Sequence, residues 1–157
     1  MQLANATSLL ASGGESTTPH LFLKSINNDI EQSYNYSENK NTISIDTDSL
    51  HIVNEAMWRV VYDKKTGTAA HLKNIEGIEF AGKTGTAQVY NLDKGKTRKK
   101  SLQDHALFTS FAPFESPEIV VAVIVDNGGS GSAVAAPIAR DIINFYFKNI
   151  KTKVAQR

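Results

Sequence analysis

The sequence predicts an α+β domain, in which an antiparallel sheet carries helices packed on its faces. Three segments in the second half of the chain have strand patterns, at 78–90, 105–112 and 119–125. The connections between them are short, so the strands should pair antiparallel. Helical patterns before and after this block, at 46–62 and 132–148, supply the apolar faces that would cover the sheet.

Composition excludes several classes of function. A chain of 157 residues fits one compact domain that buries roughly 70% of its unfolded surface. A net charge of +1 predicts no polyanionic partner, neither nucleic acid nor an anionic membrane. The absence of cysteine excludes disulfides and thiolate metal sites, and fits the cytosol and the periplasm equally. The histidines are scattered without metal-ligand spacing, so the sequence predicts no metal site and no cofactor.

The chain is expected to be a soluble piece of a longer protein. No apolar run approaches the roughly 18–20 residues of a membrane span. Residues 1–7 place no basic region before an apolar core, so they are not a signal peptide. Met1 is therefore interpreted as a start placed inside a longer sequence.

The first third of the chain predicts a helix, a strand and a loop. Residues 3–11 have a helical pattern, and Gly13 and Gly14 are typical of a helix C-terminus. Residues 19–23 predict a short strand. Residues 27–42 are rich in Asn, Ser and Glu, which predicts an exposed loop.

A longer amphipathic helix is predicted to follow. Asp46, Thr47 and Asp48 are N-cap candidates, since short polar side chains accept hydrogen bonds from the first helical N–H groups. The pattern predicts a helix to about Tyr62 and a turn at 64–68. Its apolar face would comprise Leu50, Val53, Met57, Val60 and Val61.

Positive charge is concentrated after the strand at 78–90. Five basic residues lie within 93–100, and the sequence predicts a basic hairpin loop at 91–104. We interpret this loop as a solvated connection. The alternative is a basic lip beside an anionic substrate.

Two further strands are predicted after this loop. Residues 105–112 form the first, and a turn at 113–117 follows. Residues 119–125 are seven consecutive apolar residues, mostly β-branched, which predicts a central strand buried on both faces. A turn at 126–129 would end it.

The last helix is predicted over about 132–148. Pro137 fits only within its first turn or so, because proline lacks the N–H that a helix interior needs. The tail, 151–157, is expected to fray. The predicted core positions of this helix are Ala135, Ile138, Ala139, Ile142, Phe145 and Tyr146.

The tetrapeptide Lys-Thr-Gly-Thr occurs twice, at 65–68 and 83–86. The first copy follows a helix, so its glycine is interpreted as a helix stop or a turn. The second copy lies inside an extended segment, where a glycine usually marks close approach of another backbone or of a ligand. The second copy is therefore the predicted binding site.

The residue types of the second copy suit a carboxylate. Lys83 supplies a positive field, and Thr84 or Thr86 can donate a hydroxyl. Gly85 leaves room for a ligand along the strand, where a backbone N–H could stabilise an oxyanion by roughly 3–4 kcal/mol. Strand alternation places Lys83 with Gly85 and Thr84 with Thr86, and we expect local twist to bring their polar ends to one groove. The alternative is an ordinary edge strand with a tight glycine.

No convincing nucleophile accompanies this strand. Ser37 and Lys40 match S-x-x-K, in which a lysine one helical turn after a serine activates it. The stretch around them is polar and lacks the apolar periodicity that would bury a helix. Three S-x-N matches, at 25–27, 33–35 and 37–39, fall in the same Asn- and Ser-rich region and are rejected with it.

These motifs resemble the C-terminal half of the transpeptidase domain of class B penicillin-binding proteins, closest to the cell-elongation type, penicillin-binding protein 2. The resemblance covers nearly the whole chain and implies the penicillin-binding transpeptidase, or serine β-lactamase-like, fold. The segments that carry it are 2–6 with 13–14 and 19–20, 57–61 with 67–69, 81–89, 104–106 with 111–113, and 126–129.

The resemblance implies an enzyme that cross-links peptidoglycan. In the family, a serine attacks the D-Ala-D-Ala end of a stem peptide, an amine of a second stem peptide resolves the acyl-enzyme, and β-lactams acylate the same serine. By this likeness, Lys83 is a catalytic residue that assists the electrostatics of the groove. Thr84 and Thr86 bind the substrate carboxylate beside Gly85, and the Thr86 N–H forms half of the oxyanion hole. His105 belongs to the motif after the loop and is expected to make a structural hydrogen bond.

The family's S-x-x-K and S-x-N motifs lie upstream of the region that this chain resembles. The chain, 1–157, is therefore expected to be the C-terminal portion of one transpeptidase domain and inactive alone. An exposed apolar face should mark where the missing N-terminal half packs, and the fragment could self-associate through it. The parent would be anchored in the inner membrane, with a periplasmic domain and a membrane glycosyltransferase partner.

Two other interpretations stay open. The chain could be a non-catalytic receptor domain for peptidoglycan stem peptides or β-lactams on the same fold, although covalent sensing would still need the serine helix. It could also be a complete serine hydrolase that uses Ser37 and Lys40. Replacing Ser37 with Ala in an active chain would test the latter.

Overall fold

The computed structural model of the chain describes residues 1–16, 18–22, 24–27, 30–33, 41–72, 74–89 and 103–151. Within these ranges the helices are α1 (Gln2–Ala11), α2 (Thr47–Tyr62) and α3 (Ala136–Phe145). The strands are β1 (Glu15–Ser16), β2 (Lys24–Asn27), β3 (Ile30–Ser33), β4 (Asn41–Thr42), β5 (Ala81–Ala87), β6 (His105–Ala112) and β7 (Ile119–Val125). π-Helical turns lead into and out of α3, at Gly131–Ala135 and Tyr146–Lys151.

The predicted ends of the first two helices are confirmed. Beyond the end of α1, Gly13 has φ 74°, and the Gly13 and Gly14 N–H groups donate to Leu10 O and Leu9 O. This pair of bonds satisfies carbonyls that a helix end leaves open. At the start of α2, Asp46 Oδ2 accepts a 2.9 Å hydrogen bond from the Ser49 N–H.

Three antiparallel strands form the central sheet, in the order β5-β6-β7, as predicted. Gly85 pairs with Leu107, and Lys83 pairs with Thr109, which in turn pairs with Ala122. A strand alternates its side chains between two faces, so this register fixes which residues share a face.

The helices cover the two faces of the sheet. On one face, alternate β6 residues, including Ala106 and Phe108, pack with Ala139 and Ile143 of α3. On the other face, Phe111 packs with Met57 of α2. The sheet therefore lies between α3 on one side and α1 with α2 on the other, which confirms the α+β class.

The prediction that 119–125 is buried on both faces is wrong. β7 lies at an edge of the sheet within the described ranges, and Val121 is its one buried residue. Ile124 is 59% exposed. The apolar residues of this run would suit a strand in the middle of a sheet. Within the described ranges, however, no strand pairs with the edge of β7 that faces away from β6.

The N-terminal third also departs from prediction. Residues 19–22 form no strand, and Leu21 is 89% exposed, so it lacks the packing that would hold a strand. Instead β2 pairs with β3, and β1 with β4, so part of the predicted loop at 27–42 is strand. Residues 34–40, which include Ser37 and Lys40, lie outside the described residues, as do 90–102 of the basic loop and 152–157 of the tail.

The contact face of α3 is narrower than predicted. Ala135 and Ala139 are wholly buried as expected, and so are Ala136 and Ile143, which were not predicted core positions. The small residues at the contact let the helix lie close to the sheet, and the exposed large side chains fall on its flank. The exposed members of the predicted core are Ile138, Ile142 and Phe145. Pro137 lies in the first turn, as the sequence required.

Among the described helices, none combines the length and the hydropathy needed to cross a membrane.

Candidate functional site

The second Lys-Thr-Gly-Thr copy lies in β5, at one edge of the central sheet. Within the described ranges, β6 is the strand paired with β5, so the opposite edge of β5 carries backbone groups available to a ligand. An extended peptide adds to such an edge as an extra strand. The sequence correctly placed this copy in a strand. The strand is shorter than predicted, since residues 78–80 and 88–89 are not part of it; Tyr90 lies outside the described residues.

Lys83 faces a cleft between α1 and α2. The cleft has a volume of about 460 Å³. Its lining is mostly apolar, and the residues involved are Leu3, Ala6, Thr7, Leu10, Val53, Ala56, Met57, Val60, Lys83 and Thr109. The Lys83 ammonium is exposed and donates to its neighbour Thr84 O at 2.7 Å. Lys83 is therefore the one charged residue in the lining of a mostly apolar cleft.

A part-buried pair of hydroxyls in this cleft joins α1 to β6. Thr7 is 3% exposed, and its Oγ1 lies 2.6 Å from Thr109 Oγ1. Thr7 also donates to Leu3 O at 2.8 Å, so Thr109 is the donor within the pair. Neither residue was predicted from the sequence. Thr109 could have been identified from the strand register, which pairs it directly with Lys83.

Thr84 points to the other face of the sheet, as alternation predicted. Its Oγ1 lies 3.0 Å from the Oγ1 of Thr68, which belongs to the first Lys-Thr-Gly-Thr copy. The two copies are thus in direct contact. Among the described residues, no hydrogen bond joins the Lys83 and Thr84 side chains. The common groove that we expected is therefore not formed by direct contact between these two side chains. Thr86 is exposed near the end of the strand.

The first copy forms a turn after α2, as predicted. The Asp63 carboxylate accepts from Thr66 Oγ1 at 2.6 Å and from the Lys65 N–H at 2.8 Å. These bonds, the Thr66 hydroxyl first, hold the pKa of Asp63 below its ordinary value. The turn presents Thr68 to Thr84.

His105 makes the structural hydrogen bond that was expected of it. Its Nδ1 accepts from the Asn127 backbone N–H at 3.0 Å, which requires a ring with no proton on Nδ1. Asp126 Oδ1 lies 3.5 Å from the same nitrogen. His105 faces Ala87 across the β5–β6 pair, next to the tetrapeptide.

Ser110 in β6 is fully buried and donates its hydroxyl to Val121 O at 3.2 Å. His, Asp and Glu side chains in the described ranges nowhere gather in the groups of three that would hold a metal ion. The site therefore offers a cation, hydroxyls and a strand edge.

Comparisons with known proteins agree with one another. The family described as "Penicillin binding protein transpeptidase domain" matches residues 1–144. The chain is 35% identical over 154 residues to the peptidoglycan D,D-transpeptidase MrdA of Haemophilus influenzae, and the match covers 93% of this chain and 23% of that protein. The chain thus spans about a quarter of the length of this curated relative.

Solved structures give the same answer. Penicillin-binding protein 2 of Pseudomonas aeruginosa, in complex with WCK 5153, has a TM-score of 0.73 at 34% identity, over 95% of this chain and 30% of that one. The imipenem acyl-enzyme of penicillin-binding protein A from M. tuberculosis has a TM-score of 0.65 at 25% identity, over 92% of this chain and 30% of that one.

Proposed function

The chain belongs to the penicillin-binding protein transpeptidase domain family, and we propose that it supplies the substrate-binding strand of a peptidoglycan D,D-transpeptidase. The single observation that carries this proposal is the position of Lys83–Thr86 on an edge strand, with Lys83 at the mouth of an apolar cleft. A stem peptide that ends in D-Ala-D-Ala would lie along the free edge of β5. β-Lactams would occupy the same groove.

Each residue of the tetrapeptide has a proposed role. The Lys83 ammonium attracts the substrate carboxylate and stabilises negative charge that develops at the reacting carbonyl. The Thr84 and Thr86 hydroxyls donate to the carboxylate. Gly85 keeps the strand open on the cleft side, where a side chain would begin 3.2 Å from Leu107 Cβ. The Thr86 N–H acts as one donor of an oxyanion hole, a contribution of about 3–4 kcal/mol in other enzymes.

The nucleophilic serine is proposed to come from the part of the transpeptidase domain that this chain does not span. The apolar cleft between α1 and α2 is the surface that we expect this missing part to cover. Val53 is 41% exposed on its wall, and burying such apolar area stabilises a contact by about 25 cal/mol per Å². A nucleophile carried over the cleft would lie beside Lys83. The chain alone should be inactive and able to self-associate through the cleft.

The setting of the whole protein follows the same proposal. A membrane anchor upstream would hold the domain in the periplasm, next to a membrane glycosyltransferase partner that makes the strands to be cross-linked. The cleft and strand belong to the C-terminal portion of that domain.

Intact mass after incubation with excess benzylpenicillin tests the proposal. The chain alone should keep its mass. A chimera, in which this chain replaces the matching region of the Haemophilus influenzae relative, should gain one drug mass. The unmodified relative is the positive control.

Three outcomes are distinct. A folded chimera that stays unlabelled, while the relative is labelled, would contradict the proposal. A chimera that binds the drug reversibly without a mass gain would favour the receptor interpretation. Labelling of the chain alone would place the nucleophile within it, and Ser37→Ala would then show whether Ser37 is that residue.

A further inference from the structure

A glycine-containing segment, Asn127–Gly131, lies directly behind the tetrapeptide, and we call it the backing segment. Gly131 is buried. A Cβ atom built on Gly131 would overlap the carbonyl oxygens of Gly85 and Leu107 and would lie 3.1 Å from Gly85 N. Because those neighbours are backbone atoms, they cannot rotate away. Gly131 therefore rests against the β5–β6 ladder at the rung that contains Gly85.

A second glycine of the backing segment contacts the adjacent rung. A Cβ on Gly128 would lie 2.9 Å from Ala106 Cβ and 3.1 Å from Val125 Cβ. Ala106 pairs with Thr86. Two consecutive rungs of the binding strand are thus supported from the α3 side, opposite the face that Lys83 presents to the cleft.

Hydrogen bonds fix the backing segment to the start of β6. The Asn127 N–H donates to His105 Nδ1 at 3.0 Å, and the Asn127 side-chain amide donates to Gln103 O at 2.9 Å. The Gly129 N–H donates to Asp104 O at 2.8 Å. Asn127 itself has φ 52°, a left-handed conformation that needs such support.

We propose that the backing segment is a positioning element for the Lys83–Thr86 strand. The inference rests on the proposed function, because it assigns a role to support of the carboxylate-binding strand. Gly85 carries no side chain that could anchor the strand through packing. Without Gly131 behind it, the backbone at Gly85 would yield when a ligand pressed on its cleft side. His105 and Asn127 act through the segment and are positioning residues.

Gly131→Ala is the direct test. The added methyl should push the Gly85 rung out of place, and a misplacement of about 1 Å is enough to cost on the order of a hundredfold in a catalytic site. We expect faster amide hydrogen exchange, measured by NMR, at residues 83–87 and 106–109, and at least tenfold weaker binding of N-acetyl-D-alanyl-D-alanine.

Gly13→Ala is the matched control. Its φ of 74° makes alanine strained there too, but a Cβ would meet nothing within 4 Å. This variant should lose stability without raising the exchange of 83–87 relative to the rest of the chain. Equal exchange patterns in the two variants would overturn the proposal.

His105 provides a second test if Gly131→Ala does not fold. His105→Ala removes the acceptor of the Asn127 N–H and should reproduce the local increase in exchange and the weaker binding. His105→Asn places an amide oxygen near the Nδ1 position and should restore both. Failure of Asn to rescue, or no effect of Ala, would count against a positioning role.

The failures of the two proposals can be told apart. If the wild-type chain shows no shift with the dipeptide, the binding role fails. The exchange data on the free chain still decide whether the backing segment supports the strand.

Discussion

The two Lys-Thr-Gly-Thr copies share four residues and have different structures. Residues 65–68 form a turn at the end of α2, and residues 83–86 extend along β5. Around Gly67 of the first copy, the close contacts come from the end of the helix that precedes it. Around Gly85 of the second, they come from Leu107 and Gly131, which are distant in sequence. This tetrapeptide therefore has no fixed conformation of its own and adopts the one that its neighbours impose.

The glycines of the two copies, Gly67 and Gly85, differ in how much room the fold leaves for a side chain. At Gly67, a Cβ would lie 2.6 Å from Arg59 O, 2.6 Å from Asp63 O and 2.7 Å from Val60 O. Three backbone carbonyls at the end of α2 therefore exclude any side chain. At Gly85, the nearest atom would be Leu107 Cβ at 3.2 Å. A side chain there is nearly tolerated by the fold, which agrees with the proposal that Gly85 leaves room for a ligand.

The largest expected effect is on stability, from Gly67→Ala. Forcing a methyl group against three backbone carbonyls should lower the free energy of unfolding by about 2–3 kcal/mol. Gly85→Ala is the matched variant and should cost about 1 kcal/mol or less. Urea denaturation of both measures the difference. A larger loss for Gly85→Ala would reverse the assignment of the two glycines.

Replacing Lys83 and replacing Lys65 should have different effects on the rate of acylation. In the chimera described above, Lys83→Ala should slow acylation by benzylpenicillin about 10- to 100-fold, since a hydrogen bond to a charged group contributes roughly 1.5–3 kcal/mol. Lys65→Ala, in the other copy, should leave the rate unchanged. Intact-mass time courses give both rates. Equal rates for the two variants would remove Lys83 from the site.

The contact between the copies should be measurable but modest. Thr68→Val and Thr84→Val each remove one hydroxyl of the 3.0 Å pair. A double-mutant cycle in urea should give a coupling of about 0.5–1 kcal/mol. Thr66→Val is the control, since its hydroxyl bonds to Asp63, and it should show no coupling to Thr84. A coupling near zero for Thr68 and Thr84 would mean that the copies do not support each other.

The smallest effect is the pH dependence of the first turn. Folding holds the pKa of Asp63 down, mainly through the Thr66 hydroxyl. The stabilisation is therefore present above the pKa of the unfolded chain and is lost as pH falls through the lower, folded pKa. The melting temperature of Asp63→Asn should fall less than that of the wild type on acidification. Parallel curves for the two proteins would contradict this assignment.

Elements set by local pattern were predictable from the sequence. Asp46 caps α2, the Gly13–Gly14 pair ends α1, and Lys83–Thr86 lies within a strand, as alternation indicated. Each depends on residues within a few positions of one another. The motif strand and the surrounding segments also carried the resemblance to the transpeptidase family, which the comparisons confirm.

Elements that depend on what packs where were not predictable. The run at 119–125 reads as a central strand, but neighbours decide whether a strand is covered, and β7 lies at an edge of the described sheet. The face of α3 was misjudged because the small Ala136 and Ala139 set its approach to the sheet. Sequence hydropathy ranks side chains by size and polarity and cannot show which of two apolar flanks has a partner.

The sequence alone was enough to predict the α+β class, the extended conformation of the second tetrapeptide and the family to which the chain belongs. Tertiary structure alone decided that Lys83 opens onto a cleft between α1 and α2, that Thr68 contacts Thr84, and that Gly131 lies behind Gly85. The difference arises from the sequence separation over which each kind of interaction acts. Caps, turns and strand alternation act over a few residues, whereas these contacts join positions that only the folded backbone brings within van der Waals distance.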